Sequence, residues 1–167
     1  LNPQEITFFH NEYGKPYIQA EKNLEFNVSH SKDFAVYAFC LNKRIGVDIE
    51  YMREKVSFKQ IINRFFSPYE IKDFLATPEE KQKEAFFNGW SRKEAYIKAK
   101  GKGLAIDLDS FDVVLKLDEK AKIIDMRDEI SKNIWTLEDF FIHQDYKSAF
   151  VVEGNYLNYK IYDTLDI

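Results

Sequence analysis

The sequence of 167 residues contains a single cysteine, Cys40. One thiol can form neither an intramolecular disulfide nor a zinc site made of several cysteines, so a reducing compartment, the cytoplasm, is the simplest expectation. No apolar run approaches the roughly 20 residues that a transmembrane helix requires. Residues 1–10 lack the charged region followed by an apolar region that marks a signal peptide.

Excess positive charge and flexible linkers are also missing. The chain carries 24 Lys and Arg against 28 Asp and Glu, a formal net charge of −4, which argues against a general binder of nucleic acid or of anionic membranes. No low-complexity tract divides the chain. Hydrophobic residues make up 45% of it, including 15 Phe and 10 Tyr, and this is enough for a substantial core. One domain, or two small and tightly joined halves, is therefore expected.

The hydrophobic periodicity changes twice along the chain. Alternation predicts strands at residues 24–30 and 44–50, and the apolar run at residues 34–41 predicts a strand buried on both faces. Helical spacing predicts three helices between about residues 57 and 100. Alternation then returns in three segments, at residues 110–117, 133–142 and 146–153. Strands, then helices, then strands is the order of an α+β protein.

Punctuating residues indicate where these elements begin and end. Residues 67–70, Ser-Pro-Tyr-Glu, have the form of a capping box with Pro at the first helical position, and residues 77–80 repeat the pattern. The helix that starts at this second box is expected to end at Gly101 or Gly103, which can adopt a left-handed cap. Residues 42–43, Asn-Lys, either form a tight turn between strands or connect two subdomains.

Two carboxylates share one face of the strand predicted for the segment RIGVDIE, residues 44–50. Side chains of a strand alternate between faces, so Gly46, Asp48 and Glu50 point the same way, with the two carboxylates about 7 Å apart along the chain. Asp and Glu are poor strand formers, and neighbouring anions repel each other. A bound cation is one reason for such an arrangement.

The third predicted helix carries a stripe of residues spaced four apart, Trp90, Glu94 and Lys98. One interpretation is an exposed Glu–Lys pair with the tryptophan anchored in the core. The other is that Glu94 joins Asp48 and Glu50 from the strand. Three carboxylates form a hard oxygen site suited to Mg²⁺, and Lys98 then lies close to any phosphate on that metal.

Five short blocks follow one another between residues 13 and 104: YGKPYI, FNVSHS, IGVDIE, FFSPYE and WSRKEAYIKAKGKGL. Together they resemble the signature of the 4′-phosphopantetheinyl transferase superfamily, in its larger, monomeric type that activates peptide and polyketide synthetases. The resemblance implies a pseudo-dimer of two α+β halves. Residues 1–43 are then the C-terminal remnant of the first half, and residues 44–167 are the second half with the metal site. The chain begins with Leu, and members of this type carry further upstream residues, so such residues are expected.

The resemblance implies a reaction as well as a fold. The 4′-phosphopantetheine arm of coenzyme A is transferred to a serine of an apo acyl or peptidyl carrier protein, and adenosine 3′,5′-bisphosphate is released. Asp48, Glu50 and Glu94 are the implied Mg²⁺ ligands, Lys98 is implied to neutralise the pyrophosphate, and Glu94 is the first candidate for general base. Two alternatives remain, a Mg²⁺-dependent nucleotide pyrophosphatase and a non-catalytic module that binds coenzyme A or a carrier protein.

Coenzyme A contacts are implied at three positions near the start of the chain. Ser29 and His30 are implied to contact the 3′-phosphate, with Lys15 nearby, and histidine and lysine donors suit a phosphate. Outside this motif, a lone histidine such as His30 is usually a surface or structural residue. Lys102, between the two capping glycines, is a further candidate for the coenzyme A phosphates.

Two more charged features have competing interpretations. Glu70 is a second candidate for the general base, but Ser67 and Pro68 favour a capping role for it. A basic cluster is either a solvated helix end, favoured by the helix dipole, or a surface that attracts phosphates or an acidic carrier-protein helix. Its members are Arg92, Lys93, Lys100 and Lys102.

Overall fold

The computed structural model describes residues 3–19, 23–54, 56–126, 135–155 and 158–163. Three helices lie between two groups of strands, which confirms the α+β class. The first four strands form two antiparallel hairpins, β1 (Phe8–His10) with β2 (Pro16–Ile18) and β3 (Leu24–Ser31) with β4 (Phe34–Leu41). The three-stranded antiparallel sheet has the order β5 (Ile45–Tyr51), β9 (Tyr146–Glu153), β8 (Trp135–Asp139). A further pair consists of β6 (Phe111–Val113) and β7 (Ile123–Met126).

The helices are α1 (Phe58–Phe65), α2 (Pro68–Ala76) and α3 (Glu79–Lys100). The first predicted capping box is confirmed, since Ser67 Oγ accepts a hydrogen bond from Glu70 N and Glu70 Oε2 accepts one from Ser67 N. Gly101 ends α3 in the left-handed conformation, with φ of 69°. Within the described ranges, none of the helices combines the length and the apolar character that crossing a bilayer requires.

The second predicted capping box, at residues 77–80, is wrong. Thr77 closes the end of α2 instead, and its hydroxyl donates a hydrogen bond to Asp73 O at 2.9 Å. Helix α3 begins one residue later than this box predicts, at Glu79, with Pro78 at the N-cap and no side-chain cap. A threonine hydroxyl can bond to a carbonyl one turn earlier as well as to a following N–H group, and here the preceding helix is close enough to take it.

Strand β4 is half-buried on one face and exposed on the other, so the prediction of burial on both faces is wrong. Val36 and Ala38 pack against an apolar cluster on β5 and β9. Tyr37, Phe39 and Leu41 point the other way and are 62%, 63% and 52% exposed. A continuous apolar run therefore does not separate a central strand from one whose outer face is uncovered.

The connection at residues 42–43 joins two sheets and does not close a hairpin. β4 pairs with β3, whereas the next strand, β5, pairs with β9. Asn42 has φ of 59° and donates its N–H to Asn23 O at 2.7 Å. The interpretation as a tight turn between paired strands is therefore wrong, and the connection between two subdomains stays a prediction.

Strand predictions after the helices succeed to different degrees. β9 covers the predicted residues 146–153, and β8 lies within the predicted residues 133–142, whose first two residues lie outside the described ranges. The strand predicted at residues 110–117 ends at Val113. Its alternation fails there because Val113, Val114 and Leu115 are all buried. β1, β2 and β7 are too short to carry a periodic signal, and they were not predicted.

Helix α3 lies directly on β5 because Gly46 has no side chain. A Cβ atom at residue 46 would stand 2.2 Å from Ala95 O and from Ala99 N of the helix. Both alanines are fully buried. The helix backbone therefore occupies the space beside Gly46, and this contact sets how near α3 residues come to the carboxylates of β5.

Candidate active site

Asp48 of β5 and Lys98 of α3 form an ion pair. Lys98 Nζ lies 2.6 Å from Asp48 Oδ1 and 3.0 Å from Ser29 Oγ. Ser29 Oγ, from β3, donates a hydrogen bond to the same Asp48 oxygen at 2.9 Å. The two clusters predicted on the strand and on the helix therefore meet in space, and β3 contributes to the same point.

The second oxygen of the Asp48 carboxylate is buried and unpaired. Asp48 is 3% exposed, and burial raises the pKa of its carboxyl group, although the Lys98 ammonium opposes this increase. Among the described residues, Asp48 Oδ2 is the buried side-chain oxygen without a hydrogen-bond partner. Buried polar atoms are nearly always bonded, so an orphaned carboxylate oxygen suits a cation ligand.

Glu50 and Glu94 lie close enough to Asp48 for its negative charge to raise their pKa values. Burial raises the pKa of Glu50, the Asp48 charge adds to the increase, and the Trp90 side chain donates a hydrogen bond to Glu50. Burial also raises the pKa of Glu94 to about 7, with further increases from Asp48 and Glu50. Mutually repelling carboxylates fit a divalent cation, which favours their ionised forms.

A complete metal cage is not preassembled. Over the described parts of the chain, no three carboxylate, histidine or cysteine side chains are already gathered around a single ion position. Asp48 and Lys98 are brought together, and the carboxylates of Glu50 and Glu94 lie near them. The assignment of Asp48, Glu50 and Glu94 as one ligand set stays a prediction.

The Glu94 pKa leads to a pH prediction. Its folded-state pKa of about 7 lies above the ordinary 4.5, so the folded state binds the proton more tightly and the free energy of unfolding falls as pH rises between these values. Between pH 4.5 and 8 in metal-free buffer, the Glu94 carboxyl group should lower the free energy of unfolding of the wild type by about 3 kcal/mol, and Glu94→Gln should abolish this contribution. Urea unfolding across this range measures the effect.

The matched control is Glu80→Gln, which changes an exposed glutamate near the start of the same helix. This variant should keep the wild-type pH dependence. The pKa values of Asp48 and Glu50 are also raised, so part of the decrease of the free energy of unfolding with pH persists in Glu94→Gln. An unchanged slope in Glu94→Gln would show that Glu94 holds no raised pKa.

The four residues predicted to contact coenzyme A differ in burial and in hydrogen bonding. Ser29 belongs to the Asp48–Lys98 group, whereas His30 is exposed on β3 opposite Ala35. Lys15 Nζ donates hydrogen bonds to Ile45 O at 3.0 Å and Ala99 O at 3.5 Å, and its side chain is 13% exposed. Burial lowers the pKa of Lys15. Lys102 is exposed just beyond the end of α3.

Both interpretations of the predicted basic cluster are wrong for Arg92 and Lys93, which are 1% and 0% exposed. Arg92 forms an ion pair with Asp139 of β8 and donates to the Val114 carbonyl. Lys93 donates to backbone carbonyls and pairs with a buried glutamate. Lys100 lies near the aromatic rings of Tyr96 and Trp135. These contacts make the cluster largely part of the packing.

The buried partner of Lys93 is Glu70, at 2.8 Å. Glu70 is 0% exposed, and its carboxylate also accepts hydrogen bonds from Ser67 N at 2.9 Å and Val113 N at 2.8 Å. The hydrogen bonds between Ser67 and Glu70 confirm the capping role of Glu70. Its part as a second candidate for the general base, which is compatible with capping, stays a prediction.

Sequence reasoning missed the buried polar side chains Asn27 and Ser31 of β3. They accept hydrogen bonds from Val47 N and Tyr51 N, both at 2.9 Å. A signal was present, because the segment NVSHS has a polar residue at every second position, with Ser29 between the other two. Apolar residues normally identify the buried face of a strand, and here the polar face is buried.

Comparison with known proteins places this site in a family. The sequence model of the 4′-phosphopantetheinyl transferase superfamily matches residues 44–151. The chain belongs to this superfamily. It is 46% identical over 123 residues to a 4′-phosphopantetheinyl transferase of Bacillus subtilis, covering 74% of this chain and 54% of that protein. It is 36% identical over 126 residues to 4′-phosphopantetheinyl transferase HetI of Nostoc sp., covering 74% of this chain and 53% of that protein.

The chain thus spans about half the length of the curated 4′-phosphopantetheinyl transferases it matches. Among solved structures, it is similar to a holo-(acyl-carrier-protein) synthase from Bacillus anthracis, in complex with CoA (3′,5′-ADP). The TM-score is 0.54 at 22% identity, and the match covers 66% of this chain and 96% of the synthase. This likeness supports a phosphopantetheinyl transferase fold.

Proposed function

We propose that this protein transfers the 4′-phosphopantetheine arm of coenzyme A to a serine of an apo acyl or peptidyl carrier protein. The observation that carries this proposal is the meeting of Asp48 and Lys98, with Glu50 and Glu94 close by, on the facing surfaces of β5 and α3. It is supported by relatives named as 4′-phosphopantetheinyl transferases. A phosphoryl-group transfer depends mainly on positioning and charge neutralisation, and acidic and basic side chains at one point serve both.

The residues fit Mg²⁺ as the metal of this site. Asp48, Glu50 and Glu94 would hold it, since Asp48 offers an unpaired buried oxygen and the pKa values of the other two are raised by burial and by neighbouring negative charge. When bound, the ion neutralises pyrophosphate oxygens and orients them. The protein supplies a buried strand face on which the carboxylates are held.

Glu94 is proposed as the general base. The serine oxygen of the carrier forms a bond to the β-phosphorus of coenzyme A, the pyrophosphate P–O bond breaks, and adenosine 3′,5′-bisphosphate leaves. Glu94 takes the serine proton, directly or through water. Without a metal, burial raises the pKa of Glu94 to about 7, and a bound divalent cation would lower it, so the ionised carboxylate can accept a proton near neutral pH. Lys98, whose side chain is 28% exposed, can offset negative charge on the leaving group.

Contacts to the remaining phosphate are proposed for the accessible basic residues. The His30 and Lys102 side chains are exposed, so either can donate a hydrogen bond to a 3′-phosphate that arrives from solvent. Ser29 and Lys15 are candidates from the sequence, but both already donate within the protein. We therefore assign the phosphate contacts first to His30 and Lys102.

The proposed division of the chain falls at residue 44. The hairpins β1–β2 and β3–β4 precede it, and the sheet of β5, β9 and β8 with all three helices follows it. The superfamily match also begins at residue 44. On this proposal residues 1–43 belong to a first α+β half and residues 44–167 form the second, with a monomer as the active form.

The decisive experiment incubates the protein with coenzyme A, Mg²⁺ and an apo carrier protein, followed by mass spectrometry of the carrier. The expected result is a gain of one phosphopantetheine group on the serine, with release of adenosine 3′,5′-bisphosphate. Release of that product without any carrier would instead identify a nucleotide pyrophosphatase. Binding of coenzyme A without either product would identify a non-catalytic module.

A further inference from the structure

Strand β3 lies beside β5 without any backbone pairing between them, since β3 pairs with β4 and β5 with β9. Side chains of β3 make the connection instead, by accepting hydrogen bonds from every second N–H group of β5. The bonds join Asn27 to Val47, Ser29 to Ile49 and Ser31 to Tyr51, at 2.9, 3.3 and 2.9 Å. Each bond spans 20 residues, so the two strands run in the same direction.

The central residue of this row differs from its neighbours. Ser29 Oγ accepts from Ile49 N at 3.3 Å and from Lys98 Nζ at 3.0 Å, and it donates to Asp48 Oδ1 at 2.9 Å. A hydroxyl group has one donor and two acceptor positions, so these three bonds use its full capacity. Ser29 is 6% exposed, which leaves little room for its hydroxyl to turn elsewhere.

We propose that Ser29 is a positioning residue for the metal site, an inference that rests on the proposed function. Its hydroxyl and the Lys98 ammonium both hold Asp48 Oδ1, which fixes the carboxylate and leaves Oδ2 as the oxygen that would bind the cation. The bond to Ile49 N anchors this hydroxyl to the strand that carries Asp48. Groups that orient a ligating carboxylate commonly change metal affinity when they are removed.

This role differs from the phosphate contact that the sequence motif implies for Ser29. A serine that touches the 3′-phosphate must donate its single proton to that phosphate. In the structure that proton goes to Asp48 Oδ1. The two roles therefore predict different kinetic consequences for removal of the hydroxyl.

The test compares Ser29→Ala with Ser31→Ala in the full chain, using Mn²⁺ as the probe and electron paramagnetic resonance to count free ion. Both variants lose one hydrogen bond from a β5 backbone N–H group, but only Ser29 also contacts the Asp48 and Lys98 side chains. Ser29→Ala should raise the Kd for Mn²⁺ by about tenfold or more, whereas Ser31→Ala should leave this Kd near the wild-type value. Equal Kd values in the two variants would overturn the proposal.

Steady-state transfer provides a second readout. Ser29→Ala should raise the Mg²⁺ concentration for half-maximal rate and leave the KM for coenzyme A unchanged. A raised KM with an unchanged metal requirement would overturn the proposal and assign Ser29 to the phosphate. If Ser29→Ala does not fold, Ser29→Cys keeps the size of the side chain with a much weaker donor, and the same comparison with Ser31→Ala decides the question.

A positive control separates this inference from the proposed function. Asp48→Asn should weaken Mn²⁺ binding whether or not Ser29 positions the carboxylate. If Asp48→Asn binds Mn²⁺ as tightly as the wild type does, the metal site itself is wrong. If Asp48→Asn weakens binding and Ser29→Ala does not, only the positioning role of Ser29 fails.

Discussion

Asp48→Asn is expected to lower the rate of carrier-protein modification by at least about 10²-fold, the scale on which single charge-stabilising groups act in active sites. Asparagine keeps the shape of the side chain, and its Oδ1 can still accept from Ser29 and Lys98 at the present positions. The change replaces the unpaired Oδ2 by an NH₂ group. A donor at that position repels a cation.

The same substitution should leave the fold intact. Burial raises the pKa of Asp48, which means that the buried site disfavours the charge that the substitution removes. Lys98 loses its ionic partner but is 28% exposed, so water can solvate its ammonium group. We therefore expect a free energy of unfolding equal to or higher than that of the wild type, measured by urea unfolding.

Asp139→Asn is the matched control for the loss of a carboxylate. Asp139 lies on β8, the outer strand of the same sheet, and pairs with the buried Arg92 of α3. Asp139→Asn should therefore lower the free energy of unfolding and leave the transfer rate close to that of the wild type. If Asp48→Asn modifies the carrier protein at the wild-type rate at saturating Mg²⁺, the Asp48 charge takes no part in the reaction.

Gly46→Ala is expected to cost about 3 kcal/mol of stability or more, because overpacking against atoms that cannot move aside is among the most damaging changes. The added Cβ would stand 2.2 Å from Ala95 O and Ala99 N, which are backbone atoms of α3. The helix must shift away from β5 to accept it. Lys98 and Glu94 move with the helix, so the transfer rate should also fall by about 10²-fold in molecules that remain folded.

Gly89→Ala provides the comparison for Gly46→Ala. A Cβ at residue 89 of α3 would meet side-chain atoms, Phe66 Cε1 at 2.9 Å and Leu115 Cγ at 3.1 Å, which can adjust. Alanine also favours a helix over glycine by about 1 kcal/mol, which offsets part of the crowding. Urea unfolding should show a smaller loss for Gly89→Ala. Equal losses would contradict a rigid contact between α3 and β5.

Local signals explain which elements the sequence predicted well. The capping box of Ser67 and Glu70 forms between residues three apart, and β9 spans the predicted residues 146–153. The sharing of one strand face by Asp48 and Glu50 needs only the period of a strand. Such features depend on neighbours along the chain, so tertiary packing has little opportunity to change them.

Long-range partners explain the failures. Arg92 and Lys93 appeared to be surface cations, yet their partners Asp139 and Glu70 come from β8 and α2. The exposed face of β4 was missed because a run of apolar residues does not state what covers it. Burial of a charge becomes favourable only when its counter-charge and acceptors are in place, and those positions exist only in the folded chain.

By itself, the sequence determined the α+β order of elements, the pair of carboxylates on one strand face and the resemblance to the superfamily. The tertiary structure alone decided that Lys98 pairs with Asp48, 50 residues away, and that Ser29 holds the same oxygen. It also decided that Asp48 Oδ2 has no partner within the described residues. Backbone periodicity is a property of neighbouring residues, whereas a side-chain bond depends on which distant elements the core brings within about 3 Å of each other.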